Sequence, residues 1–254
     1  MTVILVGVGS DEEHAKPAPQ INEDGTYEYI PIPETWLTTE ERTYGSLELD
    51  HNFGNAADVI ERIRPFGTDG DWITAPEIIR DHPLHYDPDF ESFTFGDRVA
   101  GGGKGGILRR KLKPGDLLGF YTGLRGPDGH LHRYIYGYFT VSAVDDLSQY
   151  EGKEYRDRLR NYPDNAHAKR LMGAGAAKHD DLVIVDGEAP GDKLKYPYRM
   201  SEHRENRPPT YQLTQQFTED FAVSGGVKAI DRKPALVCDL SPDEFINRIE
   251  DRTT

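Results

Sequence analysis

Lys113-Pro114-Gly115-Asp116-Leu117-Leu118-Gly119-Phe120-Tyr121, followed by Arg133-Tyr134-Ile135-Tyr136-Gly137-Tyr138-Phe139-Thr140-Val141, decides how this chain folds. Pro-Gly-Asp is a turn sequence. Both runs are rich in β-branched and aromatic residues, so each reads as a strand. The second run alternates. With period-two geometry Ile135, Phe139 and Val141 share a face with Gly137, and Tyr134, Tyr136 and Tyr138 share the other. Two readings of that tyrosine stripe stay open. It is either a platform on which bases stack or the second buried face of one sheet.

Working outward, Val3 to Val8 reads as a central strand, and Ser10 to Asp24 as a long polar loop. Asp24-Gly25 is a hairpin-type turn, and Tyr27 to Ile32 the strand after it. Asn55 opens a helix with Ala56, Val59, Ile60 and Ile63 on one face, stopped by Pro65. Thr74 caps a short helix that has Pro76 in its first turn. Gly101 to Gly106 reads as a flexible loop, Glu151 to Arg160 as a charged surface helix, and Asp181 to Val185 as a short strand. Leu213, Phe217 and Phe221 make a helical stripe within Tyr211 to Val223. A strand from Ala235 to Leu240 precedes a helix capped by Ser241, with Pro242 first and Glu244 completing a capping box. The fold class expected is α+β: a mixed or antiparallel sheet, or partial barrel, with peripheral helices, forming a single domain over residues 1–254.

Composition narrows the function classes. The 254 residues carry a net charge of −14, with 11 Lys against 19 Arg. Such an acidic surface argues against a generic basic nucleic-acid footprint and is a lever of salt-adapted proteins. The expectation is a halophilic cytoplasmic protein. A single cysteine, Cys238, rules out an internal disulfide and a cysteine-rich zinc site, and its apolar neighbours read as core. There is no signal-like opening and no run as long as a membrane span.

Several constellations could carry chemistry. His82-Pro83-Leu84-His85-Tyr86-Asp87-Pro88-Asp89 brings His85 and Asp87 to one side of an extended segment, as a metal-ligating pair or an acid–base couple. Asp11 and His14 follow the first strand, where ligand crevices lie in α/β proteins. Lys104, Arg109, Arg110, Lys111 and Lys113 form the densest basic cluster in an acidic chain, suited to phosphate. The glycine-rich run around Lys104 lacks P-loop spacing. His203 to Arg207 reads as a solvated loop, and His130 and His132 as residues near a surface turn. The chain has no Gly-x-Ser-x-Gly elbow, His-Glu-x-x-His motif or strong dinucleotide fingerprint.

Taken in order, these segments resemble a known family. Lys16-Pro17-Ala18-Pro19, Asp24-Gly25 and Pro31-Ile32-Pro33 resemble the opening of the third family of nucleotide-modification-associated domains. His85-Tyr86-Asp87-Pro88-Asp89 resembles its His-x-Asp-Pro segment. Pro114-Gly115-Asp116, Phe120-Tyr121 and Tyr136-Gly137-Tyr138 resemble its central strand pair. The resemblance implies association with systems that modify nucleotides or DNA bases, and it brings no reaction. The strand pair alone is also similar to the barrel of PUA and EVE domains, which include readers of modified bases.

Three functions follow as expectations. The first is an enzyme or accessory factor acting on a nucleotide or modified base, with Asp11, His85 and Asp87 as catalytic groups and Tyr121, Tyr136, Tyr138, Lys104, Arg109 and Arg110 contacting substrate. The second is a non-catalytic module that binds modified bases in nucleic acid. The third is a protein-binding scaffold. No cofactor or metal is assigned at this level, and the partner expected is a nucleotide or nucleic acid.

Overall fold

Val3, Ile4, Leu5 and Val6 are all fully buried, so they supply both faces of one strand. Such a strand must lie inside a sheet that is covered on both sides. It does so in the computed structural model, which describes residues 1–10, 13–35, 37–65, 70–99, 103–175, 181–204, 211–232 and 234–250. In chain order the elements are β1 (Val3–Gly7), β2 (Ala15–Lys16), β3 (Ile32–Pro33), α1 (Ala56–Val59), β4 (Arg62–Ile63), α2 (Pro76–Asp81), β5 (Leu84–His85), β6 (Thr94–Arg98) and α3 (Lys104–Lys111). The opening pair of runs forms β7 (Leu117–Arg125) and β8 (Leu131–Asp146). Then come α4 (Gly152–Leu159), α5 (Ala166–Gly173), β9 (Leu182–Arg199), β10 (Ser201–His203), β11 (Tyr211–Leu213), α6 (Gln215–Asp220), α7 (Ala229–Arg232), β12 (Ala235–Cys238) and α8 (Pro242–Glu250).

Six strands make one curled, half-barrel sheet in the order β12-β1-β7-β8-β9-β6, with helices around it, and the class is α+β. β1 and β7 run parallel, and every other neighbouring pair is antiparallel. The carboxyl end of β1 lies beside Tyr121, midway along β7. On one face Val3, Leu5, Leu117, Ile135 and Tyr138 pack with Phe217, Phe221 and Phe245 of the C-terminal segment. On the other, Ile4, Val6, Phe120, Tyr136, Phe139 and Val141 pack with Tyr27, Tyr29, Phe95 and Leu108. Among the described residues, no helix is long and apolar enough to cross a membrane.

The tyrosine stripe is broken by a bulge. Phe120 pairs with Gly137 and the next residue, Tyr121, with Ile135, so Tyr136 is the extra residue on β8. An inserted residue reverses which parity faces which side. Tyr134 and Tyr136 therefore share a face with Phe139 and Val141, and Tyr138 joins Ile135 on the opposite face. This corrects the strict alternation expected above. Both faces are buried. Tyr136 stacks on Tyr29, with ring centroids 4.5 Å apart at 13°. Tyr138 donates to Glu250 at 3.2 Å beside α8. Gly137 does not leave an open gap between tyrosines, because Phe90 fills it: a Cβ there would stand 2.5 Å from the Phe90 ring and 3.0 Å from the Asp192 carbonyl.

Other expectations are corrected by tertiary context. Tyr27 to Ile32 is no strand: its ladder is only Ile32–Pro33, and its tyrosines are spent covering the sheet. The helix from Asn55 is a single turn. Its β-branched Ile60 and Ile63 leave it, and Ile63 pairs with Ala15 in β4. Ala75, not Thr74, caps α2. Lys104 to Gly106 is not loop but the first turn of α3, and Gly105 is pressed so closely on the backbone of Asp97 and Arg98 that a side chain has no room. β9 runs 18 residues because the 16-residue β8 gives it a partner along its length. Leu213 belongs to β11 while Phe217 belongs to α6. His132 is buried, with Asp128 2.8 Å away. The box at Ser241 forms as expected, and Cys238 is buried.

The bulge gives a direct test. Gly137→Ala is expected to destabilise the fold by about 1–3 kcal/mol through overpacking against Phe90. Urea denaturation checks this, and an unchanged midpoint would mean that the bulge has slack.

Candidate functional site

β3 and β5 pair antiparallel with Ile32 opposite His85, which places Glu34 beside that histidine. Glu34 Oε2 lies 2.7 Å from His85 Nδ1, and its other oxygen accepts from Arg170 Nε at 2.7 Å. Arg170 comes from α5, one turn after His167, so the two share a helix face. α5 is held in place at its start. The Asn165 side chain accepts from the His167 and Ala168 amides and donates to Thr94 of β6 at 3.1 Å. Gly96 of β6 lets this end approach, since a Cβ there would come within 2.9 Å of Asn165 and 3.0 Å of His167.

The result is a cluster of His85, Asp87 and His167. Asp87 Oδ2 is 3.9 Å from His85 Nε2 and 3.5 Å from His167 Nε2. The imidazole rings meet edge to face with centroids 4.7 Å apart. Asp87 is steadied by the Gly96 amide at 3.2 Å, and its own carbonyl accepts from Tyr29 Oη at 2.9 Å. Burial pushes the Asp87 carboxyl up to about 7, against the pull of His85. Burial, helped by Arg170, pushes His167 down to about 4, and burial lowers His85 as well. Burial opposes ionisation of Glu34, but His85 and Arg170 outweigh it and hold the carboxyl at about 2.

Beside this cluster lies a cavity of about 290 Å³, lined by Gly7, Val8, Gly9, His14, Ile32, Lys104, Tyr121, Arg133 and Ile230. It sits at the carboxyl end of β1, where Tyr121 of β7 lies alongside Gly7. Lys104, the first residue of α3, spans the two regions. Its ammonium donates to the Gly7 carbonyl at 2.9 Å and lies 3.5 Å from Asp97. It is also close enough to Asp87 and His167 to act on their charges. Ile32 lines the cavity and is the register partner of His85. A larger cleft of about 530 Å³ includes Glu40, Arg42, Asp89 and Lys169, but these charges are paired with one another.

The residues singled out from sequence are thereby sorted. His85 and Asp87 do meet, and Lys104 and Tyr121 border the neighbouring cavity. Tyr136 and Tyr138 are packed inside the protein. Arg109 and Arg110 are exposed at the far end of α3, about 8 Å along the axis from Lys104, and Arg109 lies 3.3 Å from Asp146. Neither of these arginines lines the cavity. Asp11 lies outside the described residues, as do Glu205 to Arg207 of the polar loop. Glu34, His167, Arg170 and Arg133 escaped sequence reasoning. The available signals were the polar residue closing Pro31-Ile32-Pro33 and a His-x-x-Arg pair after the helix-capping Asn165.

A curled α+β sheet thus carries a cavity lined by Lys104 and Arg133 beside a buried His/Asp cluster. The sequence places it more narrowly: the chain matches nucleotide modification associated domain 3 over residues 2–246 and belongs to that family. No curated protein and no solved structure matches it.

The clamp that holds α5 against residues 34–42 is testable by pH. Glu40 accepts from Arg42 and, at 2.9 Å, from Lys169. Burial opposes its ionisation, but these cations win and hold its pKa below the ordinary 4.5. A carboxylate with a depressed folded pKa stabilises above its unfolded value, and the effect is lost as pH falls below it. Glu40→Gln should therefore cost roughly 3 kcal/mol at pH 7, and the gap to wild type should shrink below pH 4.5. Denaturant titrations at pH 7, 5 and 3.5 measure it, and a pH-independent gap would count against the ionic clamp.

Proposed function

We propose that this protein acts on a nucleotide, holding its phosphate in the rim cavity and exposing the adjoining sugar or base to the His85–Asp87–His167 cluster. The observation that carries this reading is Lys104, which lines the cavity and is electrostatically coupled to the cluster. Membership of a nucleotide-modification-associated family supports a nucleotide as the ligand. The cavity volume, near the lower end for small-ligand sites, suits a mononucleotide-sized group better than a strand. Lys104, Arg133 and His14 supply cationic or hydrogen-bonding groups for an anion in an otherwise acidic chain. A match across residues 2–246 also supports treating the chain as one domain.

This reading is favoured over a passive base-reading module. Stacking on an extruded base needs open aromatic faces. Tyr136 is fully buried and stacked on Tyr29, and Tyr138 is covered by α8. Tyr121 is the aromatic ring of the three that reaches the cavity.

Calorimetric titration with deoxynucleoside mono- and triphosphates tests the proposal. Lys104→Met and Arg133→Met should each weaken binding about tenfold, the worth of one charge-assisted hydrogen bond. The Arg109→Ala/Arg110→Ala double variant should bind as wild type does. Absence of nucleotide binding, or loss confined to the Arg109/Arg110 variant, would overturn the proposal.

A further inference from the structure

We infer that His85, Asp87 and His167 form the binding site of one divalent first-row transition-metal ion. The inference deepens the reading above by naming the chemistry of its cluster, although metal binding does not itself require the nucleotide.

The first argument is the donor set. Two imidazole nitrogens and one carboxylate oxygen all lie within 4.8 Å of one another. A metal 2.0–2.2 Å from each ligand atom sets those atoms about 3–3.5 Å apart. The His167–Asp87 separation of 3.5 Å already meets this, the His85–Asp87 separation of 3.9 Å exceeds it by a few tenths of an ångström, and the two imidazole nitrogens lie within 4.8 Å of each other. Two His and one carboxylate, leaving positions open for water or substrate, suit a transition ion. Calcium and magnesium prefer all-oxygen sites.

The second argument is orientation. His85 Nδ1 faces Glu34 Oε2 at 2.7 Å, and Arg170 keeps Glu34 in its carboxylate form. Nδ1 also lies 3.0 Å from an Arg170 guanidinium nitrogen, so the contacts of the ring's Nδ1 side go to Glu34 and Arg170, while Nε2 lies toward Asp87. A carboxylate behind a histidine is the usual outer support of a metal-bound imidazole. Nε2 and Asp87 Oδ2 then lie 3.9 Å apart, too far for a hydrogen bond. A cation between them resolves that juxtaposition.

The test uses the full chain, stripped with chelator and titrated with Co²⁺ alone. The expected result is one ion per chain by elemental analysis, with visible d–d bands of a site bound through nitrogen and oxygen. His167→Gln, at the partly exposed ligand, should abolish the bands while the far-ultraviolet circular dichroism stays native. Glu34→Gln should leave the stoichiometry at one and weaken affinity by about 10–100-fold. If folded wild-type protein takes up no cobalt, or if uptake is indifferent to both His167→Gln and Asp87→Asn, the inference fails. Nucleotide binding measured in parallel separates the two readings. A chain that binds nucleotide but no metal overturns this inference alone, and one that binds cobalt but no nucleotide overturns only the cavity assignment.

Discussion

One inserted residue in the central hairpin governs much of this structure. Because Tyr136 is extra on β8, its ring joins the Phe139 face and stacks on Tyr29. Tyr29 in turn donates its hydroxyl to the Asp87 carbonyl. Tyr27 does the same for the Tyr136 carbonyl at 2.9 Å, an acceptor next to the bulge. The irregularity of the sheet is thereby wired into the segment that presents the carboxylate. Without the bulge, Tyr136 and Tyr138 would share a face and Phe139 would turn away from Phe120 and Phe90.

The polar network around Glu34 and Glu40 is better understood as positioning than as stability. Burying ion pairs roughly breaks even against apolar packing, whereas breaking one is expensive. Here both carboxylates join α5 to the same irregular segment, Glu34 through Arg170 and Glu40 through Lys169. That segment has almost no ladder of its own. It is secured instead by side-chain bonds such as Ser10 Oγ and Tyr44 Oη to the Pro31 carbonyl. The cluster is thus assembled from a strand pair and a helix far apart in sequence, on a frame held by these polar contacts and by a small apolar core that includes Ile30, Tyr44, Ile79 and Leu84.

Some of the site was legible in the linear order and some was not, for identifiable reasons. His85 and Asp87 are two apart in an extended stretch, so their proximity is a local fact. Lys104 stood out because cations are scarce in an acidic chain. His167 and Arg170 look like ordinary residues of a short helix, and only the pinning of Asn165 to Thr94 turns them toward Asp87. Arg109 and Arg110, close to Lys104 in number, were grouped with it by counting. Neither lines the cavity, and Arg109 faces Asp146.

Alternation, turn chemistry and capping signals alone determined that β1, β7, β8 and β12 would be strands, that α8 would start at its Ser-Pro-Asp-Glu box, and that the class would be α+β. These are nearest-neighbour properties, written in residues a few positions apart. Tertiary structure alone decided where the Tyr136 bulge falls, how far β9 extends, and that the tyrosines of the opening hairpin are buried. It also decided that two histidines 82 positions apart meet over one carboxylate. Each of these depends on which partner a strand finds and what volume that partner leaves, and such long-range packing has no signature in local spacing.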